Sequence, residues 1–301
     1  MQKLFGTVVP IVTPLTDEDT IDVKSLKSLI DHVIDGGLQC LYPCGTTGEM
    51  MYLTVEERKL IAEVTVEYTA KRVPVFVHVG AWNLKDTIEL AQHAEKIGAD
   101  GIGVVTPAFF KLSDQGLVDF YTAVANSVSK DFPVYMYAIP QNAINDVNAS
   151  VCEAVVKQCP NVLGIKYSYP DFTKLQQFMM VNNQKFSVLV GPDHLFEALC
   201  AVGGDGVVSG NAMIVREHYA AIWDAIQKKD YDLATKYQRR TNILNATMCA
   251  INNIAAYKVI LKEEGVIKTS NMRRPMENLT PEQEQALLAE MKRLDYKKVL
   301  I

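Results

Sequence analysis

Short apolar runs recur along this chain, each followed by a longer stretch in which apolar residues return at helical spacing. The runs lie near Thr7–Val12, Cys40–Pro43, Val75–Val79, Gly101–Val105, Val134–Tyr137, Val162–Lys166, Ser187–Val190 and Gly206–Ser209. Their β-branched residues and the Gly, Pro, Asn and Asp that bound them predict strands. Nearly continuous apolar runs are what parallel strands buried on both faces require. Amphipathic stretches such as Asp22–Gly36, Val55–Lys71, Lys85–Ile97 and Gln115–Ser129 predict the helices between them. Eight alternating units predict an α/β protein, a (β/α)8 TIM barrel, with a doubly wound open sheet as the alternative.

Cap chemistry sharpens two boundaries. Thr54-Val55-Glu56-Glu57 has capping-box spacing, and so does Thr280-Pro281-Glu282-Gln283, where proline takes the first helical position. After Ser209 the strand pattern stops and helical patterning continues to the end. The eighth barrel helix is expected near Arg216–Lys228, giving a barrel domain over 1–228 and a helical extension over 229–301. Within Leu244–Leu261 and its flank, Ile243, Ala246, Ile251, Ile254, Tyr257 and Ile260 form the expected buried stripe.

Composition narrows the partners. The 301 residues are 49% hydrophobic and 22% charged, with a net charge of -5, which argues against nucleic acid. The pairs Arg239-Arg240 and Arg273-Arg274 read as solvated charges. No apolar stretch is long enough for a membrane span, and the N-terminus lacks a signal-peptide pattern, so a cytoplasmic protein is expected. Six scattered cysteines (Cys40, Cys44, Cys152, Cys159, Cys200, Cys249) read as buried free thiols. Five histidines without ligand spacing predict no dedicated metal site.

The chemistry-bearing residues sit at the ends of the predicted strands, where a (β/α)8 barrel carries its active site. Lys166 ends the run Asn161-Val162-Leu163-Gly164-Ile165-Lys166. An amine held in an apolar pocket is favoured in its neutral form, and a neutral amine attacks a ketone to form a Schiff base. The commoner fate of a strand-end lysine is solvation. After the second run, Cys44-Gly45-Thr46-Thr47-Gly48-Glu49 can aim N–H groups and hydroxyls at a carboxylate, and fits a tight turn equally. Period-two alternation puts Tyr135 and Tyr137 on one face of the fifth run and Met136 on the other. Tyr137 is a candidate proton shuttle or a core tyrosine. Gly191-Pro192-Asp193-His194 places a carboxylate and an imidazole at the same rim, Asp193 being alternatively a helix N-cap.

Taken together, these residues make the chain resemble the pyruvate-dependent class I aldolases of the dihydrodipicolinate synthase and N-acetylneuraminate lyase family. The resemblance spans the chain, from Gly6-Thr7-Val8-Val9-Pro10-Ile11-Val12-Thr13-Pro14 through the 45–49 loop, Tyr137…Pro140 and Gly164-Ile165-Lys166 to the C-terminal helices. It implies that Lys166 forms the Schiff base, that Tyr137 shuttles the proton and that Thr46 and Thr47 hold the substrate carboxylate, with Thr47 also counted as catalytic. It further implies a substrate-binding rim that includes Gly48, Ser168, Gly191, Asp193, His194 and Gly210, no cofactor, pyruvate and an aldehyde as partners, and a homo-oligomer, a tetramer in the family.

Three departures bear on substrate. Where synthases of the family follow the Tyr…Pro segment with Ser-Arg-Thr-Gly, this chain has Gln141-Asn142-Ala143-Ile144, and an amide cannot replace the bidentate arginine grip on a carboxylate. Where synthases place a tyrosine after Thr-Pro, Thr106-Pro107 is followed by Ala108-Phe109-Phe110. Compared with sialic acid lyases, His194 replaces a glutamate and Gly210 a serine, while Asp193 is kept and Ser168 offers a hydroxyl. The expected activity is cleavage or formation of a C–C bond between pyruvate and an aldehyde, on a 2-keto-3-deoxy sugar acid or a sialic acid. The alternatives are a 4-hydroxy-tetrahydrodipicolinate synthase and a non-catalytic 2-oxo-acid-binding protein.

Overall fold

The computed structural model describes Met1 and residues 3–299. Eight strands form one sheet: β1 (Gly6–Val9), β2 (Cys40–Leu41), β3 (Phe76–His78), β4 (Gly101–Val105), β5 (Val134–Ala138), β6 (Val162–Tyr167), β7 (Ser187–Val190) and β8 (Gly206–Val208). Each predicted run overlaps one. β1 and β2 stop well short of the expected ends because Pro10 and Pro43 have no N–H to offer the ladder, and β3 and β8 each stop one residue short.

The strands are parallel in the order β2-β1-β8-β7-β6-β5-β4-β3. A parallel bridge from Leu41 to Val75, with Leu41 N–H donating to Pro74 O at 3.0 Å and His78 N–H to Pro43 O at 3.1 Å, joins β2 to β3 and closes the circle. The barrel, not the open sheet, is the fold. Helices alternate with the strands, and the two expected capping boxes are present at Thr54 and Thr280.

Two apolar layers follow from strand alternation. Leu4, Val8, Cys40, Tyr42, Phe76, Tyr135, Leu189 and Val208 fill the barrel interior. Met136 and its outward-facing neighbours pack on the helices. Gly103 is needed inside: a Cβ there would lie 1.8 Å from the Tyr42 hydroxyl.

Beyond the eighth barrel helix, Arg216–Gln227, come helices Tyr231–Cys249, Asn253–Glu263 and Pro281–Arg293. Leu244, Met248, Ile260 and Met291 join the same core as the barrel helices. The expected stripe is partly wrong: Ile243 and Ala246 are exposed, and Leu244 and Met248 take the buried positions. The helix breaks at Asn252, which caps the next one, so one periodic pattern cannot run through both. Cys249 is exposed at that break, unlike the other five cysteines. Arg273 is no solvated charge either; its guanidinium bonds Glu57 at 2.6 Å. No helix among the described residues is long and apolar enough to cross a membrane.

Candidate active site

The register of the barrel assembles the centre of the site. Tyr137 on β5 is the register partner of Lys166 on β6, so the two side chains enter the barrel mouth together. Lys166 is 6% exposed, and its Nζ lies 4.0 Å from the Tyr137 ring centroid and 5.4 Å from that of Tyr42. Among the described residues no carboxylate forms an ion pair with it. The amine is walled by the aromatic faces of Tyr137 and Tyr42.

The Tyr137 hydroxyl meets Thr46 Oγ1 at 3.1 Å, which ties the tyrosine to the 45–49 turn. Gly48 and Glu49 donate their N–H groups back into that turn, to Gly45 O and Thr46 O, both at 3.0 Å. The N–H groups of Thr46 and Thr47 find no acceptor among the described residues, so two N–H donors and the Thr47 hydroxyl remain for a ligand, while the Thr46 hydroxyl is shared with Tyr137. Thr13 Oγ1 holds Gly48 O at 2.8 Å, and a Cβ on Gly48 would approach Ile11 O to 3.2 Å.

Cys44 and Glu49, one at each end of the turn, both have φ of 61°, a conformation that costs a non-glycine residue free energy and must be enforced by its surroundings. At Cys44 the enforcing group is His78, whose Nδ1 donates to Cys44 O at 3.0 Å while Nε2 accepts from Val105 N–H at 3.3 Å. This pairing assigns the neutral Nδ1–H tautomer. Burial, with the charges of Arg58 and Lys166, holds the His78 imidazole well below its ordinary value. Arg58, itself buried, donates to His78 O and Gly80 O, each at 2.8 Å. The His78 ring stands edge-on to Tyr137 at 5.9 Å.

The remaining rim residues divide into groups. Ser168 sits against Gly191, where a Cβ would come within 2.0 Å of Ser168 Oγ. Gly210 touches Thr47 on one side and the Tyr257 ring on the other: its Cβ would lie 3.4 and 2.9 Å from them. Asp193 does not cap a helix. Its carboxylate takes the Tyr219 O–H at 2.5 Å and the Asn211 amide at 3.0 Å, and burial raises it above the usual carboxylate value despite those bonds and one from Ser209. His194 is exposed.

On the β4–β5 side the wall is apolar: Met50, Val105, Ile139 and Ala143 pack around Tyr137. Asn142 is exposed on a short helical turn. Ile144, at the place of the motif's glycine, has φ 62° and ψ -34°, and Asn145 N–H reaches back to Ala143 O at 2.7 Å. A β-branched residue in that conformation is strained.

Sequence reasoning missed Tyr42, His78, Arg58, Tyr257 and Lys258. Lys258 carried a signal, since it is a lysine inside the apolar run Ala255-Ala256-Tyr257-Lys258-Val259-Ile260-Leu261. The others look like ordinary core or surface residues until the barrel closes. Among the described residues no group of three or more His, Cys, Asp or Glu could hold a metal ion.

Amine, hydroxyl relay and free donor turn together suit imine chemistry on a 2-oxo acid, the class I aldolase type of carbon–carbon lyase. Comparison with known proteins agrees. The profile described as the dihydrodipicolinate synthetase family matches residues 3–294. The 4-hydroxy-tetrahydrodipicolinate synthase of Brucella abortus biovar 1 (strain 9-941) is 33% identical over 273 residues, 91% of this chain and 92% of that one. Among solved structures, YagE, a prophage protein of the dihydrodipicolinic acid synthase family from E. coli K12 in complex with pyruvate, superposes with a TM-score of 0.92. It is 26% identical and covers 97% of this chain and 99% of its own. The N-acetylneuraminate lyase of Aliivibrio salmonicida gives 0.91 at 27% identity, over 99% of each chain. The chain belongs to the dihydrodipicolinate synthetase family and is an enzyme of the aldolase type.

Proposed function

We propose that this enzyme cleaves or forms the C3–C4 bond of a 2-keto-3-deoxy sugar acid or a sialic acid, with pyruvate as one product or substrate. The observation that carries the chemistry is the register pair Tyr137–Lys166, with the tyrosine hydroxyl held by Thr46. Lys166 Nζ adds to the C2 ketone and water leaves, giving an iminium. The C3–C4 bond breaks, its electron pair flowing into the iminium to give an enamine. The C4 hydroxyl gives its proton to Tyr137 as the tyrosine passes its own to the substrate carboxylate, an aldehyde leaves, and that proton returns to C3 of the enamine. Water then returns to release pyruvate and the free lysine. Thr46 and Thr47 hold the carboxylate of the 2-oxo acid through the two hydroxyls and the two N–H groups that have no other acceptor among the described residues.

Substrate choice rests on the rim. The exposed amide of Asn142 supplies no fork for a second carboxylate, and Phe109 supplies no relay hydroxyl. Ser168, against Gly191, and the exposed His194 follow neighbouring strands and offer a hydroxyl and an imidazole suited to hydroxyl groups. A second reading, 4-hydroxy-tetrahydrodipicolinate synthase, is favoured by one finding: Brucella relatives at 33% identity carry that name. A homo-oligomer fits the same reading, because Phe109 and Phe110, 72% and 73% exposed, and the exposed Trp82, Ile144 and Tyr169 all lie on segments that follow the C-terminal ends of β3 to β6.

The test is borohydride reduction with pyruvate, followed by peptide mass analysis. The adduct is expected on Lys166 and absent from Lys166→Ala; labelling elsewhere refutes the mechanism. Pyruvate release from sugar acids, set against condensation of pyruvate with aspartate semialdehyde, decides between the two substrate readings by kcat/KM.

A further inference from the structure

Glu49 ends the Thr46–Thr47 turn in a left-handed conformation, yet its side chain is 0% exposed. That carboxylate forms an ion pair with Lys258, whose side chain is also 0% exposed. Its second oxygen accepts the Arg273 backbone N–H at 2.7 Å. Lys258 Nζ donates in addition to Asn271 O at 2.6 Å. Burial pulls the Lys258 ammonium below its ordinary value, and Glu49 opposes the shift. Two points of the C-terminal segment, Lys258 and Arg273, thus converge on one residue of the turn, and a third, Asn271, holds Lys258.

We propose that Glu49 and Lys258 are positioning residues for the 2-oxo-acid carboxylate, a buried pair through which helix Asn253–Glu263 sets the Thr46–Thr47 donors. The inference rests on the reading of that turn as the carboxylate site. Stability alone does not call for this pair, since well-packed apolar residues serve as well or better in place of a buried ion pair. What an ion pair adds is direction. Glu49 N–H bonds Thr46 O at 3.0 Å, and Met50 N–H bonds Gly45 O at 3.3 Å, so a shift of Glu49 carries the turn with it. Tyr257, one residue before Lys258, packs on Gly210 beside Thr47. The same helix therefore braces the turn at Thr47 as well as at Glu49. Cys44, at the other end, is held by His78.

Three variants test it: Lys258→Met, the double Glu49→Gln/Lys258→Met, and Glu49→Asp, which keeps both charges and shortens the reach. Melting temperature and the pyruvate dependence of borohydride trapping are measured for each. Lys258→Met leaves a buried carboxylate without its cation and should melt lowest, and the double should recover much of the loss. In the double and in Glu49→Asp, half-saturating pyruvate should rise about tenfold, the scale of a weakened hydrogen bond to a charged group, and more than the limiting trapping rate falls. Wild-type half-saturation in both overturns the proposal. If the double does not fold, Glu49→Asp decides alone by the same criterion. Two controls separate failure of the underlying reading: an untrapped wild type removes the Schiff base, and wild-type half-saturation in Thr47→Val removes the carboxylate turn, each taking this proposal with it.

Discussion

Removing the Tyr137 hydroxyl isolates the proton relay from everything else that the side chain does. In Tyr137→Phe the ring stays, and with it the edge contact to His78 at 5.9 Å and the wall 4.0 Å from Lys166 Nζ. One hydrogen bond is lost, the 3.1 Å contact with Thr46, which costs about 1 kcal/mol of stability. The transition state loses its acid–base group, which slows turnover by roughly 10²–10⁴-fold. In barrier height that is about 3–5 kcal/mol, well beyond the stability change. The assay couples pyruvate release to NADH oxidation and follows kcat and KM separately, with circular dichroism to monitor folding. Expected are a large fall in kcat, a small change in KM, and continued borohydride trapping, because Lys166 is untouched. A kcat within about threefold of wild type would refute the relay and leave Tyr137 a packing residue.

Acid stability gives another test. Burial and the nearby cations lower folded His78 below its reference value of 6.5, so the unfolded chain binds the proton first as pH falls. Stability is then full above 6.5 and lost below it, by about 1.4 kcal/mol per pH unit for this one group. Denaturant titrations at several pH values should show a shallower acid loss in His78→Gln; equal slopes would contradict the assignment. Ile144→Gly should relieve strain of about 1–3 kcal/mol against a glycine entropy cost of about 0.5–1 kcal/mol. Its melting temperature should therefore hold or rise, and a clear drop would mean that the exposed Ile144 side chain makes a contact worth more than its strain.

Much of the architecture was legible in the linear pattern, because strand burial on both faces and helix amphipathicity are properties of local composition. Eight apolar runs and the capping boxes at Thr54 and Thr280 mapped onto elements nearly residue for residue. The places of Lys166 and Tyr137 at the strand ends were legible as well, since a strand's alternation and its end are visible in one dimension, whereas their roles rested on the family resemblance. The open-sheet alternative fell only on the Leu41–Val75 bridge, a contact between strands that the sequence separates by a helix. Asp193 looked like a rim carboxylate, and only packing turned it towards Tyr219 and Asn211. The stripe through Ile243 failed because a periodic pattern does not reveal which face a helix will find covered. What tertiary structure alone decided is the support of the turn: Glu49 meets Lys258 and Arg273 more than two hundred positions away in sequence. Charges so far apart carry no local signal, and only closure of the barrel and docking of the last helices bring them out of water together.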